Sequence, residues 1–110
     1  MLHRYCFALD LKQDDALIGA YEEYHKNVWP EILDSIKQSG IEQMEIYRTG
    51  NRLLMIMEVN KSFDFEDKTT ADAANEKVQQ WEVLMWQYQQ ALPFAKPGEK
   101  WVLMNKIFEV

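Results

Sequence analysis

An α+β fold with an antiparallel sheet follows from three observations on the 110-residue sequence. Apolar residues alternate with a period of two in four separate runs, and recur at spacings of three and four in two longer runs between them. Turn-forming residues, Gly40, Gly50-Asn51, Pro93 and Pro97-Gly98, stand where one period gives way to the next. All of residues 1–110 form one domain, because the length is below the roughly 150 residues of a typical domain.

Residues 2–11 alternate aromatic and aliphatic side chains and read as the first strand. From Asp14 the stripe Leu17, Tyr21, Tyr24, Val28, Ile32 and Ile36 marks an amphipathic helix ending near Gly40. Pro30 lies inside it, lacks a backbone donor and clashes with the carbonyl of Lys26, so a kink or break is expected around residues 26–30. Ile41–Thr49 and Arg52–Val59 flank Gly50-Asn51, two residues tolerant of positive φ, and read as a β-hairpin. Residues 60–74 are polar and irregular, with room for a short helical turn. Asn75 is the expected N-cap of a second helix, whose stripe Val78, Trp81, Met85, Tyr88 and Leu92 is stopped by Pro93. Residues 101–110 alternate as a last strand. The order β-α-β-β-α-β is the split, ferredoxin-like arrangement, with a four-stranded antiparallel sheet.

Composition narrows the function classes. Apolar residues are 47% of the chain, with four Trp, five Tyr and five Phe, ample material for a packed core. The formal net charge of −6 repels phosphate backbones and anionic lipid, so nucleic acid is not an expected partner. No stretch approaches the ~18 consecutive apolar residues of a membrane span, and no signal-type run follows Met1, so a cytoplasmic protein without membrane attachment is expected. Cys6 has no second cysteine to pair with and reads as a strand residue. His3 and His25 have no further His or Cys at ligand spacing, so no metal site is expected. Four scattered glycines make no phosphate loop, which disfavours nucleotide cofactors.

The strands also predict a partner. In residues 53–57 both faces are apolar, and residues 101–108 put Trp101, Leu103 and Ile107 on one face with Val102, Met104 and Phe108 on the other. Two helices cover only one face of a four-stranded sheet, so a second copy of the chain, sheet packed on sheet as a dimeric α/β barrel, is expected to cover the other; a partly open face that forms a ligand cavity is the alternative, and the two are compatible.

Tyr21 and His25, four apart, share a face of the first helix, and Trp29 continues that line beyond the proline. Histidine exchanges protons near neutrality at little cost, which makes His25 the candidate acid–base group. Trp81, Trp86, Trp29 and Trp101 could stack on a sugar ring or planar cofactor, although at helical spacing Trp81 also reads as core. Glu45, Glu58 and Glu82 stand beside apolar neighbours as candidate pocket carboxylates, and spacing selects none of them. Proton-transfer chemistry or simple binding remain open.

The run Tyr21-Glu22-Glu23-Tyr24-His25-Lys26-Asn27-Val28-Trp29-Pro30-Glu31, of the form Y-x-x-x-H-x-x-x-W-P-E, resembles the L-rhamnose mutarotase family. Ile46-Tyr47, Asn51-Arg52-Leu53-Leu54, Gln80-Trp81, Leu92-Pro93 and Ile107-Phe108 extend the resemblance over nearly the whole chain. It implies a cofactor-free, dimeric isomerase of this topology that interconverts the α and β anomers of a small sugar. The family's acid–base histidine falls on His25, and a substrate-contacting tyrosine falls on Tyr21. Of its two adjacent pocket tryptophans, one falls on Trp81 and the other on Glu82, while a second substrate-contacting tyrosine falls on Met44. These two departures imply a pocket suited to another sugar, L-fucose or a related aldose, with Glu82 as a possible second acid–base group. Because the same fold houses monooxygenases acting without metal or with haem, lactone isomerases and non-catalytic ligand-binding dimers, those functions stand as alternatives.

Overall fold

The computed structural model describes residues 2–110, which form β1 (His3–Leu11), α1 (Asp15–His25), α2 (Pro30–Gln38), β2 (Ile41–Thr49), β3 (Arg52–Val59), α3 (Phe65–Ala74), α4 (Glu76–Trp86), β4 (Gln89–Gln90) and β5 (Val102–Leu103). The break expected at Pro30 is a full interruption. α1 ends at His25, and Pro30 opens α2 from its first turn, where a missing N–H costs nothing. Asp14 caps α1 by accepting from the Leu17 N–H at 3.0 Å, and Asn75 caps α4 by accepting from the N–H groups of Lys77 and Val78.

β1 is central and antiparallel to β3, which pairs on its other edge with β2. The free edge of β1 is shared by two short pieces, β4 beside Asp10 and Leu11 and β5 beside Phe7 and Ala8. One irregularity matters for the site. Ile41 pairs with Val59 while Gln43 pairs with Glu58, so Glu42 is an extra residue, a bulge, in β2. The bulge turns Met44 and Ile46 to the same face as Ile41, which strict alternation would not allow.

That face is the core face. Leu11 and Leu53 pack with Tyr21, Ile32, Val78, Trp81 and Met85 from the helices, and Ile41, Met57 and Val59 gather Tyr5, Phe7, Met44 and Phe63. On the opposite face Cys6, Ala8, Leu54 and Ile56 belong to neither cluster, and Tyr47 beside them is 53% exposed.

Three elements depart from the sequence reading. Residues 60–74 hold the ten-residue helix α3, which lacks an apolar period but is capped by Asp64, with Glu66 and Asp67 favourably placed in its first turn. The last helix stops at Trp86 rather than at Pro93. The Tyr88 N–H donates to the Met85 carbonyl, and the Tyr88 carbonyl accepts from the Lys12 N–H, which lays Gln89 and Gln90 beside β1. The final strand is two residues long instead of ten. After the Met104 N–H donates to the Cys6 carbonyl at 2.8 Å the chain leaves the sheet, with Ile107 and Phe108 largely exposed. Among the described residues, 104–110 alternate in sequence but belong to no strand and are exposed.

Candidate active site

The Tyr21 and His25 side chains leave α1 one turn apart, with ring centroids 4.3 Å from each other. Tyr21 is almost wholly buried, and its hydroxyl accepts from the side-chain amide of Gln89 at 3.3 Å. Burial pushes the Tyr21 phenol above its ordinary value, with the Gln89 hydrogen bond partly opposing. The phenol therefore stays neutral, with its own proton available for donation.

His25 is the last residue of α1, and its Nδ1 lies 2.8 Å from the carbonyl oxygen of Tyr21. A carbonyl can only accept, so Nδ1 carries the proton in this bond. The nitrogen left for outside work is Nε2. It is a bare lone pair in the neutral ring and a donor in the imidazolium, and both forms suit proton transfer. The imidazole also meets the Trp81 indole edge-on at 5.7 Å, and Trp29 meets the same indole edge-on at 5.1 Å. Trp81 thus serves the core and the site together.

Tyr21, His25 and Trp81, with Trp101, line one cavity of about 590 Å³ between the helices and the core face of the sheet, whereas Trp29 packs on Trp81 and does not line it. Tyr21 and His25 reach its wall from α1, Met44 from β2, and Trp81 and Glu82 from α4. The five residues to which the family resemblance points are brought together there. Glu82 is held at Oε2 by the Gln79 side-chain amide at 3.4 Å. The other two candidate carboxylates lie elsewhere: Glu45 accepts from the Tyr47 hydroxyl at 3.2 Å, and Glu58 stands 3.9 Å from Arg4. Trp86 is away from this cavity, with the Lys100 ammonium above its ring at 5.1 Å. Sequence reasoning missed most polar wall residues, among them Lys37, Glu42, Lys100, Gln89, Lys68 and Asp72. Gln89 was hidden by the helical reading of its segment, and Lys68 and Asp72 by the polar appearance of residues 60–74, although their i, i+4 spacing was a legible signal.

Fold and cavity together define a class, a small ferredoxin-like domain whose cavity brings together one imidazole, one neutral phenol and an indole wall. The chain belongs to the L-rhamnose mutarotase family, whose model matches residues 4–110. Mutarotases are carbohydrate isomerases of the racemase and epimerase class, and the chain is an enzyme of that class.

The chain is 46% identical over 109 residues to an L-fucose mutarotase of Xanthomonas campestris, covering 97% of this chain and 87% of the relative. A UPF0734 protein of Dictyostelium discoideum is 34% identical over 110 residues, covering 96% and 88%. Among solved structures, an L-rhamnose mutarotase from Formosa agariphila shares the fold with a TM-score of 0.73 at 23% identity, covering 98% of both chains. The tetracenomycin F2 cyclase of Streptomyces glaucescens, a type-II polyketide cyclase, shares it at 0.60 and 14% identity, covering 98% of this chain and 96% of the cyclase. Among the described residues no helix is long and apolar enough to cross a membrane.

Proposed function

We propose that this chain interconverts the α and β anomers of a free 6-deoxy-L-sugar, L-fucose in preference to L-rhamnose, by acid–base ring opening at His25. The observation that carries the reading is the bond from His25 Nδ1 to the Tyr21 carbonyl, which orients the ring and leaves Nε2 for the sugar. As the imidazolium, Nε2 gives its proton to the ring oxygen while the bond from that oxygen to the anomeric carbon breaks. The proton of the anomeric hydroxyl leaves at the same time, to Glu82 or to water, and the product is the open aldehyde. Rotation about the bond to the adjacent carbon presents the other face of the carbonyl. Reclosure returns both protons, and nothing is oxidised or reduced.

Tyr21 donates to a sugar oxygen, and Trp81 supplies an apolar wall for ring C–H groups. Met44 offers a soft apolar neighbour to the methyl group of a 6-deoxy sugar. The preference for L-fucose is supported by the Xanthomonas relative, an L-fucose mutarotase, and by Met44 and Glu82, which the family resemblance of the sequence sets on aromatic positions. An acceleration of about 10² to 10⁴ from positioned acid–base groups suffices for so mild a reaction.

The test is saturation transfer between the α and β anomeric proton signals of L-fucose and L-rhamnose with purified protein added. Faster exchange of L-fucose is expected. Absence of accelerated exchange with any common aldose would overturn the reading.

The proposal includes a homodimer. Cys6, Ala8, Leu54 and Ile56 make an apolar sheet face outside both core clusters, flanked by exposed Tyr47, and a second copy packed face to face would bury it. Light scattering should give twice the chain mass for the wild type and the chain mass for Ile56→Glu; a monomeric wild type at micromolar concentration refutes the dimer. Nucleic acid has no place as a partner in this reading, given the net charge of −6. The free Cys6 thiol suits a reducing compartment and supports a cytoplasmic setting.

A further inference from the structure

α3 turns an aromatic ring and two charges inward on one face: Phe65 meets Tyr5, Phe7 and Phe63 at 4.9, 6.3 and 4.9 Å, and Lys68 and Asp72 follow it along the same side. Surface helices ordinarily turn apolar residues inward and charges to water. In α3 the alanines Ala71, Ala73 and Ala74 are exposed, and the two side chains turned furthest inward are Lys68 and Asp72, each only 21% exposed. They form an ion pair in which the Lys68 ammonium donates to both carboxylate oxygens of Asp72, at 3.1 and 3.0 Å. Both residues line the cavity that holds His25, Tyr21 and Trp81. Withdrawing an ion pair from water carries a desolvation penalty, and an i, i+4 pair gains little from helix stability in return. The packing of Phe65 turns this face of α3 inward, and a polar ligand in the cavity offsets the desolvation penalty of the charged pair that the same face carries.

The pair has hydrogen-bonding capacity left over. Lys68 has three donors, with Asp72 as its partner, and the Asp72 carboxylate has about four lone-pair positions of which Lys68 occupies two. One spare donor beside spare acceptors matches a vicinal diol, in which each hydroxyl both gives and takes a hydrogen bond. Charge-assisted bonds of this kind are strong and directional, which makes them selective for hydroxyl configuration. The backbone around the pair is also tied down, because the Gln79 side-chain amide donates both to the Asp72 carbonyl at 2.9 Å and to Glu82 on α4.

We propose that Lys68 and Asp72 are sugar-binding residues that hold two neighbouring non-anomeric hydroxyls and so determine which aldose the enzyme accepts. The inference rests on the mutarotase reading above. It assigns to this pair a task distinct from the proton transfer at His25, so KM and sugar choice depend on the pair while kcat depends on His25.

The test compares wild type, Lys68→Met, Asp72→Asn and the exchanged double variant Lys68→Asp/Asp72→Lys. The double variant keeps an i, i+4 pair, now with the acidic residue N-terminal, the better order for a helix. It therefore preserves the fold while swapping donor and acceptor towards the cavity. Anomeric exchange is measured against concentration for L-fucose, its epimers at each non-anomeric hydroxyl and the corresponding deoxy sugars, with direct titration of each sugar as a second readout.

We expect each variant to raise KM for the preferred sugar about 10- to 100-fold, with kcat within about threefold. Discrimination against one epimer or deoxy sugar should collapse, and Tm should stay within a few degrees. Unchanged KM and unchanged epimer discrimination in the single variants, or recovery of wild-type KM by the exchanged pair, would overturn the proposal. If the wild type accelerates no exchange, the mutarotase reading fails, and the titrations still decide whether the pair binds a sugar. Binding of no aldose by the wild type overturns both.

Discussion

Replacing His25 by Asn separates the two nitrogens of the imidazole. The Asn amide nitrogen is attached at the same carbon as Nδ1, so it can keep the 2.8 Å bond to the Tyr21 carbonyl, while Nε2 is removed. General acid–base catalysis by one positioned group is worth about 10² to 10⁴ in rate, or roughly 3 to 5 kcal/mol of barrier at 1.36 kcal/mol per tenfold. The fold loses only ring contacts with Tyr21 and Trp81, at 4.3 and 5.7 Å, from a half-buried position. That loss is about 1 kcal/mol, a fall in Tm of about 4–8 °C. Magnetisation-transfer measurement of anomeric exchange should therefore show His25→Asn near the uncatalysed rate while circular dichroism shows a folded domain. His25→Ala should be equally inactive and less stable by about a further 1 kcal/mol, since it also breaks the bond to the helix-end carbonyl. A folded His25→Asn protein exchanging anomers at more than a tenth of the wild-type rate would refute the assignment of Nε2.

Trp81→Ala should cost about 3–5 kcal/mol, since this largely buried indole packs in the main cluster against Tyr24, His25 and Trp29; thermal melting will show it, and Trp81→Phe should recover most of the loss. Gly40 sits at φ 99° with the position of an added Cβ only 2.7 Å from Asn60 Oδ1, an atom itself engaged by the Ser62 N–H and hydroxyl. Gly40→Ala should lower the free energy of unfolding by about 2–3 kcal/mol in urea titration with an unchanged m-value. Tyr21 titrates above its ordinary value because burial disfavours the phenolate. The folded state thus holds this proton more tightly than the unfolded state, so its contribution is complete below pH 10 and is lost as pH rises beyond it through the folded value. Stability of Tyr21→Phe relative to wild type should accordingly be flat below pH 10 and improve above it; a difference that does not change with pH would contradict the buried, neutral phenol.

Much of this molecule was legible in the order of its residues. The two-residue period of β1, β2 and β3 reflects the alternating faces of a sheet, and Gly50-Asn51 and Pro30 are punctuation whose backbone physics is local. Tyr21 and His25 could be placed on one helical face by spacing alone. Other features depended on partners distant in sequence. Met44 reaches the cavity only because Glu42 bulges out of β2 opposite Val59 and Glu58, a displacement that pairing decides. Tyr88 and Leu92 matched a helical stripe, yet the bond from Lys12 to the Tyr88 carbonyl draws the chain into an extended path beside β1. Apolar periodicity reports that a segment needs cover, not which element supplies it. For the same reason residues 104–110 carry a strand pattern yet pair with no strand among the described residues. Lys68 and Asp72 lay within a segment that read only as polar and irregular, and the packing of α3 places them on the wall of the cavity of His25. Local chemistry therefore determined which side chains were equipped for proton transfer, and the tertiary structure decided which others stand within reach of the same ligand.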